Sequence, residues 1–128
     1  DDIEGILDLA SRMNLNVVGI SFHVGSNCKN AKQYYYAIEM AKFAFEIGKT
    51  KKYNFNIIDI GGGFTGNNDE NALALLNEIS IETYKALLEF FDYSVENANS
   101  SDLVIMSEPG RFFSSSSHIA LCLNFLFS

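Results

Sequence analysis

Three times along this 128-residue chain a short apolar run ends in a polar or glycine-rich cluster, and no other feature restricts the fold as much. "NVVGISF" leads into "HVGSN", "NII" into "DIGGGFTG", and "LVIM" into "SEPGR". Between them lie stretches whose apolar residues recur at helical spacing. Strand-like runs alternating with helices of about 15 to 20 residues mean parallel strands joined by crossovers, and so an α/β fold. In such folds ligands bind beyond the carboxyl ends of the strands. The three clusters are therefore expected side by side on one rim, and that rim is the expected site.

The elements follow from periodicity. Asp2 to Met13 reads as a helix with Ile3, Ile6, Leu7, Leu9 and Ala10 as its apolar stripe. Val17 to His23 reads as a strand that is apolar on both parities, as if covered on both faces. After a turn at Gly25, Ser26 and Asn27 a helix is expected from Ala31 to Ile47. Asn30 is its N-cap, Gln33 completes a capping box, and Gly48 is its stop. Tyr34, Ile38, Ala41 and Phe45 form its buried stripe. A strand over Asn56 to Ile60 precedes the glycines. A helix over Leu73 to Tyr93 carries Leu76, Ile79, Tyr84, Leu87, Leu88 and Phe91. A polar connection, Glu96 to Asp102, leads to a strand over Leu103 to Ser107, and the tail from Ser114 begins another helix.

Composition sets the boundaries of function. The chain has the length of one domain and is 48% apolar and 13% aromatic, enough for a core. A net charge of −7 with scattered acids argues against nucleic acid, which needs a basic face. Cys28 and Cys122 have no metal-ligand spacing, so no metal is expected and the thiols read as reduced and cytoplasmic. No secretion signal opens the chain, and no apolar run reaches the ~18 residues of a membrane span. The sequon Asn99-Ser100-Ser101 is taken as chance, and the closing "IALCLNFLFS" as an element cut short.

Each cluster has a chemistry. Gly61, Gly62 and Gly63 expose backbone N–H groups and permit positive φ, so they cradle a small anion or make a tight turn. Gly61, Gly63 and Gly66 also satisfy G-x-G-x-x-G, but "GNNDE" follows where a helix should open, and Glu82 falls inside a helical pattern. A dinucleotide site is set aside on that ground. A Walker loop is excluded because no lysine follows. His23 is either a packed ring or one that lies against a flat ligand. The Ser26 hydroxyl suits a phosphate oxygen. Glu108, after a strongly apolar strand, is expected deep, where a carboxylate needs a cationic partner or a protonated ligand nitrogen. Pro109 and Gly110 shape the next turn. Arg111 aims a planar fork at phosphate, or pairs with Glu108. Together these groups suit a phosphorylated aromatic ring with a basic nitrogen, and pyridoxal phosphate is such a molecule.

"GISFHVGS", "IDIGGGFTG" and "SEPGRFF", in this order and at these intervals, resemble the eukaryotic ornithine decarboxylases. These belong to the alanine-racemase-like, barrel-type pyridoxal-phosphate decarboxylases. The resemblance spans essentially the whole chain and rests on three matched motifs. It implies a (β/α)8 barrel with a C-terminal β-domain, a homodimer with sites at the interface, and ornithine as substrate. His23 would stack on the cofactor ring, and Glu108 would meet the pyridine nitrogen. Ser26, Gly61, Gly62, Gly63, Gly110 and Arg111, with Pro109 in the turn, would form the phosphate cradle. Asn27 departs from the family's usual glycine, Thr65 from a frequent proline, and Phe112 from a frequent tyrosine.

A full barrel needs about 200 or more residues and eight strands. Residues 1–128 are therefore expected to be a partial barrel, about three C-terminal βα units, unstable alone and without activity. The family's Schiff-base lysine and catalytic cysteine are expected outside it, since none of Lys29, Lys32, Lys42, Lys49, Lys51, Lys52 and Lys85 ends a strand. The resemblance also admits a non-catalytic homologue like the antizyme inhibitors, a sister enzyme for diaminopimelate, arginine or lysine, and a truncated product. Antizyme is a further partner it implies.

Overall fold

The computed structural model describes residues 2–94, 96–97 and 102–115. Seven elements follow one another: α1 (Ile3–Arg12), β1 (Gly19–Ser21), α2 (Lys32–Thr50), β2 (Ile57–Asp59), α3 (Glu70–Phe91), β3 (Val104–Met106) and α4 (Gly110–Ser114). The strands form one parallel sheet in the order β1-β2-β3. The expected alternation and parallel pairing are both present.

Each strand is shorter than its apolar run, yet the ladder continues beyond it. Phe22 N–H donates to Asp59 O, Ile60 N–H to Met106 O, and Glu108 N–H to Gly61 O. Register places Gly19, Ile57 and Val104 in one row, Ile20, Ile58 and Ile105 in the next, and Ser21, Asp59 and Met106 in a third. Successive rows face opposite sides. Ile58, fully buried, packs with Ile38, Ile60, Ala86 and Leu87 and with the half-buried Phe22, Leu103 and Ile105, so α2 and α3 cover this face. Burying one such aliphatic side chain contributes about 1.5–3 kcal/mol.

The opposite face corrects the expectation of strands covered on both sides. Val104 and Met106 are 49% and 48% exposed there. Helices lie on one side only, and no described element reaches the other. The α1 stripe is similarly reduced. Leu7 and Ala10 are buried, but Ile6 and Leu9 are exposed, because α1 packs one face against α2 and the Lys51–Tyr53 segment that follows it.

Two helix boundaries differ from the periodicity. Asn30 does not cap α2 through a capping box: its Oδ1 accepts from Lys32 N–H at 3.1 Å, and Gln33 N–H donates to Asn30 O instead. The helix also passes through Gly48, which is buried against the Phe55 ring, where a Cβ would stand only 2.5 Å away. α3 starts earlier than Leu73, since Asp69 caps it by accepting from Ala72 N–H at 2.9 Å. Of its expected stripe, Ile79 and Leu87 are buried, whereas Tyr84 and Leu88 are exposed. Cys28 is a free thiol. Cys122, the sequon and the tail from position 116 lie outside the described residues. Among the described residues no helix is long and apolar enough to cross a membrane, and no group of His, Cys, Asp and Glu could hold a metal.

Candidate functional site

Two positions beyond the row of Ser21, Asp59 and Met106 come His23, Gly61 and Glu108. The three strand ends thus deliver their clusters to one place. A cavity of about 190 Å³ is lined there by His23, Ser26, Gly62, Gly63, Phe64, Glu108, Pro109, Gly110 and Arg111. Every residue expected at the site borders it except Gly61, which is buried and shapes the turn beneath. A larger groove of about 540 Å³ lies near Asn54, Asn56 and Leu103, before β2 and β3, away from the strand ends where the polar clusters converge.

The glycine loop is fixed from several sides. Gly61 and Gly63 have φ of 62° and 104°, which L side chains rarely adopt. Gly62 is required for closeness: a Cβ would stand 2.9 Å from Glu108 O and 3.2 Å from His23 Nε2. Asp59 accepts from Gly61 N–H through Oδ1 at 2.9 Å and from the Ser21 hydroxyl through Oδ2 at 3.1 Å. The three glycine carbonyls each have a donor. Glu108 N–H reaches Gly61 O at 2.7 Å, the Tyr34 hydroxyl reaches Gly62 O at 2.9 Å, and Cys28 N–H reaches Gly63 O at 2.9 Å. The N–H groups of Gly62, Gly63 and Phe64 have no acceptor among the described residues. A loop whose acceptors are satisfied and whose donors are free is an anion cradle.

The remaining groups surround it. Gly25 N–H donates to His23 Nδ1 at 2.9 Å, so a neutral imidazole carries its proton on Nε2. Asn27 has φ 55°, a left-handed conformation that asparagine tolerates, which explains how it stands in place of a glycine. Glu108 is exposed, not deep, because the sheet face that carries it is uncovered. It forms no ion pair with Arg111 among the described residues, so the structural Glu–Arg pair is absent and both charges border the cavity. At Gly110 a Cβ would meet nothing within 4 Å. Arg111, in α4, is exposed.

Three contributors escaped the sequence reading. Phe64 borders the cavity and stacks on Tyr34, with centroids 5.5 Å apart and planes at 25°. Tyr34 was legible as core but not as a donor, although a tyrosine in a fully buried stripe needs a polar partner. Burial, and then Cys28 nearby, push its phenol up to about 12. Asp59, two residues before a glycine that needs positive φ, carried the signal of a side chain that caps its own turn.

Free amides, a hydroxyl and a guanidinium fit a phosphate, while the His23 ring and the Glu108 carboxylate line the same small cavity. The fold and rim define an α/β protein built to hold a phosphorylated ring. Residues 1–115 match the family described as pyridoxal-dependent decarboxylase, pyridoxal binding domain. The chain belongs to that family, and its cofactor is pyridoxal phosphate. It is 39% identical over 117 residues to ornithine decarboxylase of Schizosaccharomyces pombe, covering 91% of this chain and 24% of that protein. It is 37% identical over 108 residues to antizyme inhibitor 2 of Xenopus laevis, covering 84% and 22%. Among solved structures, the arginine decarboxylase of Paramecium bursaria Chlorella virus matches with a TM-score of 0.73 and 36% identity, over 88% of this chain and 28% of that one. The chain therefore spans about a quarter of the length of the relatives it matches.

Proposed function

We propose that residues 1–128 are part of a barrel-type decarboxylase that converts ornithine to putrescine and carbon dioxide, and that they supply its cofactor-ring and phosphate site. The observation that carries this is the convergence of three strand-end clusters on one cavity, with free amides in the glycine loop. In this reading the N–H groups of Gly62 and Gly63, the Ser26 hydroxyl and Arg111 hold the phosphate, and Gly61, Pro109 and Gly110 shape the backbone around it. The His23 ring packs against the cofactor face. The Glu108 carboxylate keeps a proton on the ring nitrogen. The cofactor, when bound, supplies an electron-withdrawing ring that takes up charge as carbon dioxide leaves the amino acid.

The uncovered sheet face, with Val104 and Met106, becomes the interior of a closed (β/α)8 barrel in this reading. The covalently anchoring lysine and the catalytic cysteine come from other parts of the full-length protein. In this chain Lys42 pairs with Glu46, and Lys51 pairs with Glu4 and Asp8, away from the rim. A cytoplasmic homodimer, with antizyme as a further partner, completes the proposal.

Likeness to an antizyme inhibitor favours a second reading, in which the barrel binds a partner without catalysis. Likeness to an arginine decarboxylase makes substrate choice part of the test. The experiment is carbon dioxide release by the full-length protein, with pyridoxal phosphate, from ornithine, arginine, lysine and diaminopimelate. Release from ornithine at the highest kcat/KM supports the proposal. Release from another of the four replaces the substrate. Cofactor binding without release from any favours the non-catalytic reading.

A further inference from the structure

We propose that Tyr34 is a positioning residue for the phosphate cradle: its hydroxyl fixes the Gly62–Gly63 peptide so that the Gly63 N–H faces the phosphate. This rests on reading the rim as a pyridoxal phosphate site. In a planar trans peptide the C=O and the following N–H point in opposite directions. Tyr34, on α2, draws the Gly62 carbonyl toward itself at 2.9 Å, so the Gly63 N–H is turned away from α2. The peptide lies between two glycines, and no Cβ restrains its rotation. The neighbouring carbonyls of Gly61 and Gly63 are held by main-chain donors, Glu108 N–H and Cys28 N–H. Among the three anchors, only Tyr34 is a side chain.

The placement of Tyr34 suits this role. Its side chain is fully buried, and its ring is held against Phe64, itself a wall of the cavity. A Cβ on Gly63 would come within 2.8 Å of the Tyr34 hydroxyl, so loop and phenol are in close contact. A phenylalanine would satisfy the packing equally. The hydroxyl adds one function that packing does not require, which is to choose the orientation of a peptide whose N–H lines the site. With the phenol pushed up to about 12, the donor proton is retained at physiological pH.

The test compares full-length wild type with Tyr34→Phe, each titrated with pyridoxal phosphate and with pyridoxal, which lacks the phosphate. Wild type should prefer the phosphorylated form. If it binds both equally, the phosphate reading of the rim is overturned, and the role of Tyr34 with it. Given that preference, Tyr34→Phe should weaken pyridoxal phosphate about three- to tenfold, the effect of one neutral hydrogen bond, and leave pyridoxal within about twofold. Unchanged affinity for pyridoxal phosphate, or equal loss for both ligands, overturns the proposal. The second result would mean general damage to the site. 4-Aminophenylalanine placed at position 34 keeps a donor and should restore the preference. Should Tyr34→Phe not fold, wild type labelled with 3-fluorotyrosine supplies an independent measurement. An anion on the Gly63 N–H polarises the shared peptide and strengthens its carbonyl as an acceptor. Inorganic phosphate should therefore shift the fluorine signal of Tyr34, and an unmoved signal at saturation overturns the proposal.

Discussion

The change Gly110→Ala separates ligand binding from folding more cleanly than any charge removal. Gly110 is the first residue of α4, and its N–H is already bonded to Glu108 O at 2.8 Å. Its φ is not positive, and an added Cβ meets no atom within 4 Å. The methyl group therefore introduces neither a clash nor backbone strain. Alanine also loses less backbone entropy than glycine on entering a helix, so the fold should gain about 0.5–1 kcal/mol or remain unchanged. The cavity is a different matter. Gly110 is one of its walls, and the cavity holds only about 190 Å³. A methyl group there keeps an anion away from the amides and Arg111. Losing one charge-assisted hydrogen bond costs about 1.5–3 kcal/mol, or roughly 10- to 150-fold in affinity. Thermal melting of the cofactor-free full-length protein should show no loss, while pyridoxal phosphate titration shows the weakening. An unchanged Kd would refute the placement of phosphate beside Gly110, and a lowered melting temperature would refute the claim of free space.

Three further predictions follow from the structure. Asp69→Ala removes the α3 N-cap and should cost about 0.5–2 kcal/mol, read as a lower denaturation midpoint with cofactor affinity maintained. Tyr34 predicts an alkaline limit. Its folded-state phenol lies near 12 and its unfolded-state one near 10, so above pH 10 the unfolded chain binds fewer protons. Its stability contribution is complete below pH 10 and is lost as pH rises toward 12. Urea midpoints across that range should fall less steeply in Tyr34→Phe, and identical slopes would contradict the burial of this phenol. Tyr35, raised to about 12 by its hydrogen bond to Glu89, accounts for part of what remains. Finally, residues 1–128 in isolation should bind hydrophobic dyes and self-associate through the sheet face that exposes Val104 and Met106. Cooperative melting as a soluble monomer would count against this.

Element order and the rim were legible because both depend on local pattern. Period and glycine punctuation locate "IID" as a strand and "GGG" as its end, and parallel pairing then brings three ends together. What failed depended on neighbours. Glu108 was expected deep because four apolar residues precede it, but depth requires cover on both faces, and α2 and α3 cover only one. Leu73 was expected to start α3 from the apolar periodicity, yet Asp69, in the polar stretch before it, is the cap. Asn30 has the right identity for an N-cap, but its carboxamide bonds two residues on, as in a turn, and the helix begins later.

The cradle itself shows why glycines alone were an ambiguous signal. A run of three glycines can adopt many conformations, and freedom of that kind does not bind an anion. Binding requires the donors to be preorganised, which here means that the acceptors of the same peptides are occupied. That task falls to residues from three separate parts of the chain: Glu108 after β3, Cys28 before α2, and Tyr34 within α2. Asp59 adds the fourth restraint by holding Gly61 N–H back toward the strand. The site is thus a property of the crossover topology, because only parallel strands with a helix laid behind them bring these four donors and acceptors around one loop. Glycine provides the room for a ligand to approach, and the surrounding sheet and helix determine which way the backbone faces when it does.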